Sequence, residues 1–320
     1  MALYLITGIA GFIGSSLARE LLHRGEKVRG IDNFFTGKPE NLTDIREHID
    51  FHEGDILDAG AVARACEGAD YVLHQAAIAS VPRSVVDPIG SNRVNVDGTL
   101  NVLIGARNAK VRRVVYAASS SAYGDTPSLP KSEGMIPDPI SPYAVAKLAG
   151  EHYMTSFYRC YGLETVALRY FNIFGPRQDP FSQYSGVLAK FITQMLNGQQ
   201  PTIFGDGEQS RDFTYIDNAV SANLLACQAP AEQAAGKVFN VATARRVTLN
   251  ETFATLKRLT SYRGNAVYAP ERGGDVKHSL ADISKAERNL GYKPLVGFEE
   301  GLEKTVEWYR ETLVALSGRS

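Results

Sequence analysis

The sequence predicts an α/β protein built on a doubly wound parallel sheet, with a smaller mixed α/β lobe that binds a substrate. Two observations carry this prediction. In the first half of the chain, short runs rich in β-branched residues alternate with longer stretches of helical periodicity, as in parallel sheets covered by helices on both faces. After residue 172 the alternation is broken by closely spaced Gly and Pro residues, which indicates short elements.

The predicted elements follow in chain order. Strands are expected at residues 4–7, 27–31, 71–74, 113–117 and 164–171. Helices are expected at 12–23, where Gly25 provides a stop, at 94–108, and from Pro142 onward. Residues 216–227 and 238–241 again have the pattern of a helix and a strand, so we expect the chain to cross back to the first domain there.

Composition excludes several function classes. The 320 residues are 44% hydrophobic and 22% charged, and the net charge is -1. This balance gives no general attraction to nucleic acid or to an anionic membrane, and no apolar run approaches the roughly 20 residues that span a bilayer. The N-terminus has no basic leader and the three cysteines are widely spaced. We therefore expect a soluble cytoplasmic protein without a signal peptide, disulfide framework or metal site.

A glycine-rich segment follows the first predicted strand and opens the first helix. Gly8, Gly11 and Gly14 would let the backbone turn tightly and approach a pyrophosphate, while the helix N-terminus offers unpaired N–H donors. Because the segment lies between a strand and a helix, it predicts a Rossmann-type dinucleotide site. Phe12 and Ile13, inside the segment, are assigned to the same site.

Asp32 stands at the end of the second strand. A carboxylate there can accept both ribose hydroxyls of NAD and would repel the 2′-phosphate of NADP. The alternative is an Asp that caps the next turn, but the glycines ahead of it favour NAD recognition. Further cofactor-binding candidates come from the segment after Asp32 and from the ends of neighbouring strands: Asn33, Phe34, Thr36, Gly37, Asp55, Ile56, Gln75, Ala76, Ala77 and Tyr170.

A Tyr and a Lys share one face of the helix that begins at Pro142, with Ser141 as its N-cap. Tyr143 and Lys147 are four residues apart. A catalytic base works best near neutral pH, and lowering a Tyr pKa by roughly 3 units needs about 4 kcal/mol. An ammonium about 5 Å away supplies on the order of 3 kcal/mol. We expect Lys147 and the cationic nicotinamide ring to lower the pKa of Tyr143; the alternative is an unremarkable surface pair.

Three serines end the fifth predicted strand. A hydroxyl there can bind the substrate oxygen whose proton Tyr143 removes, whereas the alternative is a polar strand end capped by its own hydroxyls. We assign Ser119 as the catalytic partner, and Ser119, Ser120 and Ser121 together with Tyr143 as substrate-binding residues.

These motifs, together with residues 168–172 and 210–213, resemble the extended branch of the short-chain dehydrogenase/reductase family. Within it the chain is most similar to bacterial UDP-hexose 4-epimerases, particularly those acting on UDP-N-acetylglucosamine. The resemblance covers nearly the whole chain and implies NAD as cofactor, a UDP-sugar substrate and a homodimer formed through residues 94–108 and 143–161. It implies that Tyr143 takes the C4 hydroxyl proton while hydride passes to NAD⁺, and that hydride returns to the opposite face of the 4-keto sugar.

Related reactions are distinguished by single residues. Family dehydratases carry Asp-Glu, and UDP-glucuronate decarboxylases a Glu, where this chain has Ser120 and Ser121. A UDP-glucose or UDP-glucuronate 4-epimerase remains the main alternative. A non-catalytic NAD-binding sensor is a further alternative, against which the presence of Tyr143 and Lys147 argues.

The resemblance also implies the residues that bind the nucleotide sugar. Arg211 and Arg272 suit the diphosphate because guanidinium binds phosphate oxygens in pairs, although each could be an ordinary surface arginine. Ser279 occupies the position where galactose-restricted epimerases carry a bulky Tyr, so it would leave room for an acetamido group. The other assigned residues are Ser80, Asn172, Val187, Phe204 and Asp275. We predict an NAD-binding domain at 1–171, with a return segment at about 213–243, and a nucleotide-sugar lobe at 172–212 and 244–320.

Overall fold

The structure is a computed structural model that describes residues 1–179, 186–271 and 277–317. Its strands are β1 (Leu3–Thr7), β2 (Lys27–Asp32), β3 (Asp50–Glu53), β4 (Tyr71–His74), β5 (Arg113–Ser119), β6 (Glu164–Tyr170), β7 (Ile173–Phe174), β8 (Thr202–Phe204), β9 (Ser210–Asp212), β10 (Thr214–Tyr215), β11 (Lys237–Val241), β12 (Arg246–Thr248) and β13 (Val267–Ala269). Its helices are α1 (Phe12–His23), α2 (Ala59–Cys66), α3 (Val81–Val86), α4 (Pro88–Asn92), α5 (Gly98–Asn108), α6 (Pro142–Tyr161), α7 (Val187–Leu196), α8 (Ile216–Gln228), α9 (Ala231–Ala234), α10 (Leu249–Thr260), α11 (Ser284–Leu290) and α12 (Phe298–Ser317).

Seven parallel strands form the central sheet, in the order β11-β6-β5-β4-β1-β2-β3. From β1 the chain runs outward through β2 and β3 on one side and through β4, β5, β6 and β11 on the other. The order therefore reverses between β1 and β4, and ligands of doubly wound sheets bind at the carboxyl ends of the strands at such a point. The predicted fold class is confirmed.

Successive residues of β1 enter different hydrophobic clusters, because side chains alternate across a strand. Leu5 belongs to a cluster that also contains Val102 of α5, whereas Ile6 belongs to one that contains Leu17 of α1. Burial on both faces explains why the strands read as continuous apolar runs rather than as an alternation with polar residues.

The predicted helix at 94–108 differs at its start. A π-helical turn, Arg93–Asp97, continues α4 and leads into α5. Within it, Asn95 accepts a hydrogen bond from the Ile78 N–H (2.9 Å) and donates one to the Ile78 carbonyl (3.2 Å). The sequence pattern could not show this turn, because its partner is the loop that follows β4.

Among the described residues of the later half, three short two-stranded pairs form: β7 with β10, β8 with β13, and β9 with β12. Between them, α8 and β11 return to the large sheet, where β11 pairs with β6. The Arg113 guanidinium fixes this return by donating to three carbonyls at the end of α8, those of Ala226, Cys227 and Ala229. The exact domain boundaries stay a prediction.

Candidate active site

A cleft opens at the carboxyl end of the sheet, at the point where the strand order reverses. It is lined by the ends of β1, β2 and β4 and by the start of α1. The predicted cofactor residues that line it are Gly8, Gly11, Phe12, Ile13, Gly14, Asp32, Asn33, Thr36, Gly37, Asp55, Ile56, Gln75, Ala76 and Ala77.

The glycines of this cleft leave no room for side chains. Gly8 has φ +70°, and a Cβ there would lie 2.8 Å from the backbone of Ala76. A Cβ on Gly14 would lie 2.2 Å from the Gly8 carbonyl oxygen. Gly11 caps α1 without a side-chain hydrogen bond, so the first N–H groups of the helix face the cleft as donors for an anion.

Asp32 is buried, and its carboxylate holds the loop that follows β2. It accepts hydrogen bonds from the N–H of Ala10 (2.9 Å) and of Phe34 (2.8 Å). Burial raises the pKa of this carboxyl above its ordinary value, and the N–H bonds oppose that rise. The Phe34 ring stacks on Phe51 (5.3 Å between centroids), so this predicted cofactor residue packs its side chain against β3.

Polar side chains form hydrogen bonds around the cleft, and one set of these bonds reaches α8 in the return segment. The Asn33 amide donates to Asp55 (2.8 Å). The Tyr170 hydroxyl accepts a bond from Asn223 of α8 (2.7 Å) and lies 3.4 Å from the Gln75 amide oxygen. Asn223 is a residue that sequence reasoning missed, because its role depends on α8 lying behind β6.

Ser119, at the end of β5, and Tyr143, in the first turn of α6, lie close together, but neither is among the residues that line the cleft. The Ser119 hydroxyl lowers the pKa of Tyr143, but partial burial of the phenol raises it more. The Ser121 hydroxyl donates to Ser119 Oγ (2.8 Å). The backbone N–H of Tyr143 donates to the buried Ser84 hydroxyl (3.1 Å), which fixes the first turn of α6 against α3. Sequence reasoning missed Ser84, since nothing local marks it as a partner of α6.

Lys147 lies in an environment that lowers its own pKa. It is buried, its ammonium donates to the Ala117 carbonyl (2.9 Å) and it lies over the Tyr116 ring (4.8 Å). Burial lowers the pKa of Lys147 to about 7. In the chain without NAD, burial raises the pKa of Tyr143 above its ordinary value; the expected lowering by Lys147 and the cationic nicotinamide ring together stays a prediction. Desolvation explains both shifts, because it disfavours both charged forms.

A buried polar network surrounds His74 at the end of β4. The His74 ring bonds Thr7 through Nδ1 (2.7 Å) and Thr99 through Nε2 (3.0 Å). Burial, with a smaller contribution from Lys147, lowers the pKa of His74 to about 3. His74 is therefore a neutral packing residue, as a histidine within an apolar strand usually is.

A second pocket of about 530 Å³ lies between β7, α7, β8 and β9, within the range of about 300–1,000 Å³ typical of small-molecule sites. Four predicted substrate residues line it: Asn172, Val187, Phe204 and Arg211. The Asn172 amide donates to the Asp212 carbonyl (2.9 Å), and Arg211 donates to the Lys277 carbonyl (3.1 Å).

The remaining substrate candidates are dispersed. Ser80 is the N-cap of α3 and accepts the Arg83 N–H (3.1 Å). Ser120 and Ser121 form a 3₁₀ turn after β5. The backbone N–H of Ser279 donates to the Ser210 carbonyl (3.0 Å), which holds it beside β9. Arg272 and Asp275 lie outside the described residues.

The cleft fits a dinucleotide. Its glycines form a cradle that a Cβ would fill, a helix N-terminus faces it, and a buried carboxylate stands at the neighbouring strand end. Among the described residues, no group of three or more His, Cys, Asp or Glu could hold a metal ion. Within the same part of the chain, no helix combines the length and apolar character needed to cross a membrane. Fold and site together define a dinucleotide-binding enzyme of the Rossmann class.

Comparison with known proteins gives the family. Residues 4–242 match the NAD dependent epimerase/dehydratase family, and the chain belongs to it. The UDP-glucose 4-epimerase of Thermotoga maritima, solved with UDP-glucose, is 42% identical, with a TM-score of 0.92 over 97% of this chain and 99% of that one. The UDP-N-acetylglucosamine 4-epimerase of Methanobrevibacter ruminantium, solved with UDP-N-acetylmuramic acid, is 42% identical, with a TM-score of 0.91 and the same coverage.

A third solved structure contains the cofactor. The UDP-glucose 4-epimerase of Thermus thermophilus, in complex with NAD, is 36% identical, with a TM-score of 0.87 over 96% of this chain and 99% of that one. The predictions of the family, of an epimerase-type enzyme and of NAD as its cofactor are confirmed. The individual site residues stay predictions.

Proposed function

We propose that the protein interconverts UDP-N-acetylglucosamine and UDP-N-acetylgalactosamine by epimerisation at C4, with NAD bound in the glycine-lined cleft. The observation that carries this proposal is that Ser119, at the end of β5, lies close enough to Tyr143, in the first turn of α6, to lower the pKa of its phenol. The two side chains bring a proton acceptor and a second hydroxyl together at the carboxyl end of the sheet, where a sugar hydroxyl can contact both.

Each side chain then has a chemical task. Tyr143 accepts the C4 hydroxyl proton and later returns it, and Ser119 holds the same oxygen through a hydrogen bond. The glycine-lined cleft would hold NAD, which would supply the acceptor and donor of the C4 hydride. Lys147, one helical turn after Tyr143, is proposed to assist it as a cation when NAD is bound; in the chain alone, burial lowers the pKa of Lys147 to about 7. Since Ser120 and Ser121 supply no carboxyl group, the chain lacks the extra acid and base that elimination would need.

The second pocket is proposed to hold the uridine diphosphate. Its lining combines aromatic rings with the guanidinium of Arg211 and the amide of Asn172, a set suited to a base and phosphate oxygens. Anchoring through the diphosphate lets the oxidised sugar turn between two orientations while it stays bound, and epimerisation requires that freedom.

The N-acetylated substrate is favoured by the small side chain of Ser279. Its backbone is fixed beside β9, the strand that carries Arg211. The two solved relatives that are 42% identical are named for different sugars, so overall identity does not choose between them.

The test compares UDP-N-acetylglucosamine, UDP-glucose and UDP-glucuronate in parallel, with separation of the C4 epimers by chromatography. We expect UDP-N-acetylglucosamine to give the highest kcat/KM, without added NAD, because each cycle regenerates the cofactor. A higher value for either of the other two sugars would refute the substrate assignment. Absence of bound dinucleotide together with dependence on external NAD would refute the proposed cycle.

The protein is further proposed to act as a homodimer through α5 and α6. Exposed apolar side chains lie along these helices, among them Ile104, Val145 and Tyr153, and such surfaces are often interfaces. Light scattering should give the mass of a dimer, and Tyr153→Glu should shift it toward the monomer. Leu295→Glu, which changes an exposed apolar residue elsewhere, should leave the mass unchanged. A monomeric wild type would refute the proposal.

A further inference from the structure

We propose that Arg177, in the segment that follows β7, binds the pyrophosphate of NAD and thereby holds the cofactor from the second lobe. The proposal requires NAD in the glycine-lined cleft but does not require any particular sugar.

Arg177 lines the same cleft as the glycine segment. Its Nη2 donates to Ser16 Oγ (3.2 Å), and that hydroxyl donates to the Phe12 carbonyl in the first turn of α1 (2.9 Å). The guanidinium therefore lies about one helical turn from the end of α1 whose N–H groups face the cleft.

The guanidinium retains unused bonding capacity. Its Nε is buried and has no hydrogen-bond partner, and among residues 1–179, 186–271 and 277–317 no carboxylate lies within ion-pair distance of it. A buried charged donor without a partner is costly. Guanidinium presents a planar fork of donors that matches two phosphate oxygens, and Arg177 lines the cleft, so a pyrophosphate is a suitable partner for its Nη groups.

The charged residues that line the cleft also support an anion-binding role for Arg177. The described lining contains two cations, Lys38 and Arg177. Lys38 is engaged by Asp179, with Nζ 2.8 Å from the carboxylate. Arg177 is therefore the lining cation without a carboxylate partner among the described residues, whereas the carboxylates of Asp32 and Asp55 would repel an anion.

The backbone holds Arg177 in an unusual conformation. Its φ is +69°, in the left-handed region that few residues with long side chains adopt. Such conformations persist where surrounding contacts impose them, and they cluster at ligand clamps and active sites. The Lys38–Asp179 ion pair supplies one such contact, because it ties this segment to the loop that follows β2.

The test uses the full-length protein stripped of NAD, with calorimetric titration of NAD, ADP and adenosine. Arg177→Gln should raise the Kd for NAD and for ADP at least tenfold and leave adenosine within about twofold, because adenosine has no phosphate. Arg177→Lys, which keeps the charge but not the fork, should give intermediate values for NAD and ADP.

The matched control is Arg24→Gln, at the far end of α1, where the arginine pairs with Glu20 on the surface. It should bind all three ligands as the wild type does. Wild-type affinity of Arg177→Gln for NAD and ADP would overturn the proposal. An equal loss for adenosine would also overturn it, since Arg177 would then only support the shape of the cleft. The readout is binding, so failure to epimerise any UDP-sugar would leave this result interpretable.

Discussion

The cofactor cleft and the second pocket are built from different parts of the chain. The cleft is formed largely by backbone: five glycines, the ends of parallel strands and the N-terminus of one helix. The second pocket is formed largely by side chains that project from four short elements, β7, α7, β8 and β9. A site made from backbone is specified by a few neighbouring residues, whereas a site made from side chains depends on how distant segments are brought together.

Gly14→Ala tests that difference most strongly. The new Cβ would meet the Gly8 carbonyl oxygen at 2.2 Å, and neither backbone segment can move away. We expect purified protein to contain no bound NAD while its affinity for UDP stays near that of wild type. Gly297→Ala, where a Cβ meets nothing within 4 Å, is the control. Retention of NAD by Gly14→Ala would show that the cleft is more adaptable than its backbone suggests.

Tyr143→Phe separates chemistry from binding. Removing one hydroxyl should lower kcat by about 10²–10⁴-fold, the usual contribution of a general acid or base, and leave bound NAD and UDP affinity unchanged. Tyr161→Phe, the same change at an exposed position of α6, should have no effect. Loss of less than about tenfold in kcat would remove Tyr143 from its proposed role.

Ser279→Tyr asks whether one side chain sets sugar selectivity in the second lobe. We expect kcat/KM for UDP-N-acetylglucosamine to fall about tenfold or more, in line with the effect of filling a substrate pocket, and that for UDP-glucose to stay near wild type. Ser279→Ala should leave both values unchanged, because it adds no bulk. Equal losses on both sugars, or no loss, would show that Ser279 does not control access.

Lys147→Met should have the smallest effect, and that effect should be on the stability of the folded protein. Burial lowers the pKa of Lys147 from 10.5 to about 7. Between those values the unfolded chain binds a proton that the folded protein has released, so wild-type stability rises with pH through that window. Below it, the folded protein bears the full cost of a buried charge.

The Lys147→Met protein, free of NAD, should therefore melt a few degrees above wild type at pH 6, and this advantage should shrink by pH 10. Lys27→Met, at an exposed position, should show no such trend when both are followed by thermal denaturation. An advantage that stayed constant with pH would mean that burial does not depress the Lys147 pKa.

The sequence by itself determined the parallel sheet and the elements of the cofactor cleft, because both depend on local chemistry. Apolar runs specify buried strands, and glycines placed between a strand and a helix specify a close approach of backbone. Asp32 could be identified in the same way, from its place at a strand end.

The tertiary structure alone decided contacts between distant segments. It brought Ser84 under the first turn of α6, Asn95 against the loop after β4, and Arg177 to the start of α1. It also placed the Lys147 ammonium against the Ala117 carbonyl and the Tyr116 ring, where burial lowers its pKa. Spacing along a helix reports which side chains are neighbours, but the cost of burying a charge depends on everything packed around it.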